Sequence, residues 1–153
     1  MLFDLLKDIQ SKLKEPCYVG KLPTKESVDV GNGIYICLLS ISENVGIPKP
    51  VLPVNNEHKK PFQPAERSLD LYIVVAAYNS DYEEGLRDMD RVMKYFADNA
   101  YHSLSTRRIN YTVQLAHLSM EQNLILAQSV LSAGLPGVIY KVSTARLPGL
   151  TGD

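Results

Sequence analysis

Two runs of the chain are apolar on both of their alternating faces: residues 34–41 (IYICLLSI) and 69–78 (LDLYIVVAAY). Successive side chains of a strand point to opposite faces, so β-branched and aromatic residues in both registers predict strands covered on both sides. Such strands need layers above and below them, which points to an α/β domain. A third run differs. Ile109, Tyr111, Val113 and Leu115 alternate with Asn110, Thr112, Gln114 and Ala116, which predicts a strand with one wet face. A closing strand is expected from Val138 to about Leu147, and a short one at Ser27–Val30 before the turn Gly31-Asn32-Gly33.

Three helical stripes supply the cover. Leu2, Leu5, Leu6, Ile9 and Leu13 recur at the three-and-four spacing of one helix face, with Pro16 as the stop and irregular chain expected through Gly20 and Pro23. Ser80 and Glu83 have the form of a capping box, followed by Leu86, Met89, Val92, Met93 and Phe96 as an inner face. Ser119 and Gln122 form a second box. Met120, Leu124, Ala127 and Leu131 follow as its stripe, and Gly134-Leu135-Pro136 ends the helix. The expected architecture is a mixed β-sheet of about four to five strands flanked by three helices. At 153 residues the chain suits one domain, here 1–147, with a short polar tail at 148–153.

Between Glu43 and Glu66 lie five prolines (Pro48, Pro50, Pro53, Pro61, Pro64), Asn55-Asn56 and the patch Glu57-His58-Lys59-Lys60. Connections longer than ~12–15 residues without structure of their own are uncommon in compact domains and tend to be functional. Proline lowers the entropy lost on ordering, so the Val45–Pro64 segment suits either a preset arm against a neighbour or a plain solvent-exposed loop.

Charge and composition remove several classes of function. Sixteen Lys plus Arg balance seventeen Asp plus Glu, so no global field recruits nucleic acid. Arg107-Arg108 alone contributes little affinity for a polyanion. The longest apolar runs fall well short of the ~20 residues of a spanning helix, so no membrane segment is expected. Asp4, Lys7, Asp8, Lys12, Lys14 and Glu15 interrupt the N-terminal leucines, unlike the core of a signal peptide, and a cytoplasmic chain is expected. Cys17 and Cys37 are read as reduced thiols, Cys37 as a core residue. His58, His102 and His117 are too scattered for a metal site, and no Gly-x-Ser-x-Gly elbow is present. Gly31-Asn32-Gly33 precedes a strand, where it cannot cradle a phosphate at a helix start. Asp88 and Asp90 are two apart on a helix and diverge by about 200°. No catalytic, metal or cofactor residue is therefore assigned.

Three stretches resemble a known family when read in order: LSISENVGIP at 39–48, PFQPAERSLDLYIVVAAY at 61–78 with GLRDMDRVMKYFADNA at 85–100, and SMEQNLILAQSVLSAGLPGVIYKVSTARL at 119–147. Together they resemble the N-terminal domain of the cap, or tail-terminator, protein of extracellular contractile injection systems of the Photorhabdus virulence cassette and antifeeding-prophage type. The resemblance implies a phage tail-terminator-like fold and a structural, non-enzymatic protein. It further implies a hexameric ring that ends the inner tube and contractile sheath, assembled in the bacterial cytoplasm and then carried in the particle. Its implied partners are further copies of itself, the tube protein and the sheath protein. Val45, Ile47, Pro48, Pro50, Pro53, Lys59 and Lys60 in the loop, with Leu147 and Leu150 in the tail, are the expected contact residues. The competing reading is a monomeric α/β domain that binds or converts a small molecule near its strand ends.

Overall fold

A computed structural model describes residues 1–14, 16–24, 30–45, 67–104, 108–131 and 134–146. The elements are α1 (Leu2–Lys12), β1 (Cys17–Val19), β2 (Gly33–Val45), β3 (Arg67–Tyr78), α2 (Tyr82–Asp98), β4 (Tyr101–Leu104), β5 (Ile109–Leu115), α3 (Met120–Ile125) with a π-helical turn at Leu126–Val130, and β6 (Gly137–Arg146). The six strands form one mixed sheet in the order β1-β2-β3-β6-β5-β4. Only β1 and β2 run parallel; the other neighbours are antiparallel.

The α/β class and the three helices agree with the reading of the sequence, whereas the sheet has six strands where four to five were expected. Both additions are short edges. β1 replaces irregular chain: Pro16 accepts from the Ile34 amide at 3.0 Å and Gly20 donates to Ile36 at 2.9 Å, which locks three residues beside β2. β4 is four residues paired with β5. Neither is long enough to display a period of two. Of the short strand expected at Ser27–Val30, residues 25–29 lie outside the described residues, and Val30 belongs to no element.

α1 and α2 cover one face. Leu5, Leu6, Ile9 and Leu13 join Met89, Val92 and Phe96 over Ile36, Ile73, Val75, Tyr111 and Val142. Asp81 caps α2 by accepting from the Glu83 amide at 3.1 Å, one residue later than the expected Ser80 cap. Leu86 and Met93, expected inside, are exposed, because the buried stripe runs through Gly85, Met89, Val92 and Phe96. The opposite face is covered less: Val74 and Ala76 of β3 meet Leu126, Leu131 and Leu135. That cover explains why β3 is buried on both sides and β2 is not. Cys37 is only half-buried, Leu39 is exposed in a bulge between Leu38 and Ser40, and Ile41 is exposed beyond it, contrary to the two-faced reading of residues 34–41.

The capping box at Ser119 and Gln122 is present in both directions, at 3.0 and 3.1 Å. The stripe behind it differs from expectation. In the π-helical turn the Leu131 amide donates to Leu126 at 2.9 Å, so residues five apart align and Leu126 and Leu131 enter the core together. Met120 and Leu124 are left outside.

Candidate assembly surface

Among the described residues, three tyrosines are raised above their ordinary pKa. Tyr111, on β5, donates its hydroxyl to Asp8 of α1, and burial, followed by the Asp8 hydrogen bond, raises its pKa. Burial pushes Tyr140 up to about 12. Tyr35 is raised by burial and by neighbouring Tyr18, whose ring lies 4.9 Å away. These phenols are held neutral. His102 lies against Tyr111 and Tyr95 with ring centroids 5.1 and 6.2 Å away, and its Nε2 is 2.7 Å from the Asn99 carbonyl. His117 is exposed in another part of the fold, and His58 lies outside the described residues.

Asp88 is ion-paired with Arg91 at 2.6 Å. Asn32 of the Gly31-Asn32-Gly33 turn accepts from the Ser80 amide at 3.0 Å, which ties that turn to the start of α2. Arg108 is exposed at the turn into β5, and Arg107 lies outside the described residues. Neither cysteine is in a disulfide; Cys17 is buried against the core. Among the described residues no three His, Cys, Asp or Glu side chains gather as metal ligands, and no helix is long and apolar enough to cross a membrane.

What the fold does present is exposed apolar surface of two shapes. An open groove of about 990 Å³ takes Leu39 from β2, Met93 from α2, Leu115 and His117 from the end of β5 and beyond, and Lys141 from β6. Leu39, Met93 and Leu115 are all exposed there. Beside it, α3 carries a ridge of Met120, 81% exposed, and Leu124, 56% exposed, next to Ile125. Sequence reasoning placed Met93, Met120 and Leu124 in the core. The available signal was a surplus: Tyr82, Leu86 and Met93 form a second apolar stripe on α2, wider than one buried face needs.

Of the residues expected to make subunit contacts, Val45 ends β2 opposite Arg67. Ile47, Pro48, Pro50, Pro53, Lys59, Lys60, Leu147 and Leu150 lie outside the described residues.

This six-stranded mixed sheet, with two helices on one face and one on the other, places the chain in the α/β class. Residues 9–148 match the Pvc16 N-terminal domain, and the chain belongs to that family. Two solved structures are similar to it at 12% identity. One is the sheath/tube terminator of an extracellular contractile injection system, PVC, in the extended state, with a TM-score of 0.60 over 100% of this chain and 62% of that one. The other is the tube-terminating cap of the anti-feeding prophage, with a TM-score of 0.56 over 99% of this chain and 55% of that one. The chain therefore spans less than two thirds of the length of either. No curated protein matches its sequence.

Proposed function

We propose that this chain is a structural, non-enzymatic terminator that ends the inner tube and contractile sheath of a phage-tail-like injection particle. The observation that carries the reading is family membership across 9–148 joined to one fold shared with both a sheath/tube terminator and a tube cap. A terminator must meet tube, sheath and further copies of itself, and exposed apolar surface rimmed by polar residues suits such contacts. We further assign it a hexameric ring, assembly in the bacterial cytoplasm and residence in the finished particle. The proline-rich segment from Val45 to Pro64 and the tail with Leu147 and Leu150 are proposed as contacts with a neighbouring subunit, the tube or the sheath.

The test is particle assembly with and without the chain, imaged by electron microscopy. Without it, tubes of uncontrolled length with open ends are expected; tubes of normal length and intact ends overturn the reading. Deleting residues 50–60 should leave the circular-dichroism spectrum and thermal midpoint nearly unchanged while removing the multimer. If that variant still ends tubes at normal length, the loop assignment is wrong and the terminator reading survives.

A further inference from the structure

We propose that residues 119–131 are a two-register switch: the π-helical turn displays the Met120–Leu124 ridge, and an all-α register of the same segment withdraws it into the fold. The inference goes beyond the terminator reading and does not use it.

α3 is turned inside out for a helix beside a core. Met120, Leu124 and Ile125 are exposed, and none of its six residues is buried. The residue it gives to the open groove is polar Gln122, beside Leu118 and Ile139, which are only partly buried. The π-helical turn is the cause. It aligns Leu126 with Leu131, five residues on, through the bond from the Leu131 amide to the Leu126 carbonyl. At 3.6 residues per turn Gln122 then stands about 40° from Leu126, whereas Met120 and Leu124 stand about 120° and 160° from it.

In an all-α register the Leu131 amide bonds instead to Ala127, four residues back. Met120, Leu124 and Ala127 then fall within about 40° of Leu131, and Leu126 moves to about 140° away. One leucine leaves the core and another enters with Met120, so the sequence supplies two competing apolar stripes for one segment. Single π-helical turns within α-helices recur at functional sites, and packed elements with two discrete arrangements are bistable.

The surroundings allow the change. The side-chain hydrogen bonds of α3 stay within residues 118–123, so its capped start turns as a unit. Ala116 is tied to β6 by its amide bond to the Ile139 carbonyl at 2.9 Å. A rotation of about 100° with a shift of about 1.5 Å, the step of one helical residue, is therefore absorbed at residues 117 and 118. A partner that buries Met120 and Leu124 holds the π register, because it gains those contacts in that register alone.

Two variants fix the registers, and circular dichroism checks that each folds. Deleting Gln128, which is exposed, sets Leu126 and Leu131 four apart, so an all-α segment keeps both inside and Met120 outside. Leu126→Ala with Ala127→Leu favours the all-α register that draws Met120 in. Peroxide oxidation of Met120, read by peptide mass spectrometry against Met93 of the same chain, should be about tenfold slower in the double variant than in the deletion. In the intact chain, relaxation dispersion should show residues 119–131 exchanging with a minor state of about 0.1–10%, at the chemical shifts of the double variant. The deletion should be quiet. If the double variant does not fold, Ala127→Leu alone must raise the minor population. Equal Met120 rates in the two variants, an intact chain without exchange, or exchange that survives the deletion overturns the inference. None of these outcomes bears on the terminator reading, which particle assembly tests separately.

Discussion

Tyr111, buried in the middle of β5, donates its phenolic hydrogen to Asp8 on α1, 103 residues earlier in the chain. This side-chain hydrogen bond crosses the core from the N-terminal helix to the sheet and fixes how α1 sits over it. Leu5 and Ile9, both fully buried, flank Asp8 on the same helix, so the polar contact and the apolar packing position one element together.

Tyr111→Phe should therefore destabilise the fold by about 1.5–3 kcal/mol, the range for a hydrogen bond to a charged group. Asp8→Asn keeps an acceptor oxygen and should cost less. Urea midpoints of the three proteins test this; a Phe variant as stable as the parent would mean that α1 is held by its leucines alone.

Stability should fall in alkali. Tyr111 and Tyr35 are raised and Tyr140 is pushed up to about 12, all chiefly by burial, whereas unfolded phenols titrate near ~10. A group whose folded pKa is raised holds its proton more tightly in the native state. Its contribution is complete below about 10 and is lost as pH rises through 10 toward the folded value. Denaturant midpoints should stay flat through neutral pH and drop above about 10. Tyr140→Phe should drop less steeply than the parent, and equal slopes would remove Tyr140 from the explanation.

Thr144 extends the pairing of β3 and β6 beyond their last backbone rung at Asp70 and Ser143. Its hydroxyl accepts from the Leu69 amide at 3.0 Å and donates to the Leu69 carbonyl at 3.2 Å. Thr144→Val fills the same space but strands both backbone groups, at about 1–3 kcal/mol. Thr144→Ser keeps the hydroxyl and should lie nearer the parent in thermal midpoint; the reverse order would show that the methyl group matters more than the bonds.

The helices and the long strands were legible because each carries a period over two or more turns or pleats. What stayed hidden depended on partners. β1 exists because Pro16 and Gly20 bond to β2, contacts with no local pattern. The apolar run in β2 could not reveal that helical cover stops over Val74 and Ala76. Leu126, in place of Leu124, joins the expected Leu131 in the core because a π-helical turn changes the period from within. The candidate surface was hardest, since Met120 on a ridge and Met89 in the core are the same residue type at helical spacing. Only the placement of the sheet separates them.

Gly33 opens β2 at φ 151°, and a Cβ there would stand 2.4 Å from the Pro16 carbonyl oxygen and 2.9 Å from its ring. That oxygen is also the acceptor for the Ile34 amide, so relieving the clash moves the strand pairing that holds β1. Gly20 has nearly the same φ, 153°, with nothing within 4 Å of the equivalent Cβ. Gly20→Ala thus carries the backbone strain without the collision, and the difference between the two variants isolates the contact with Pro16. Gly33→Ala should exceed Gly20→Ala by more than the ~1 kcal/mol typical of a point substitution. It should also speed labelling of the Cys17 thiol, which is 7% exposed and lies on the strand that must shift. Equal stabilities and equal labelling rates would show that β1 adapts around the added methyl group.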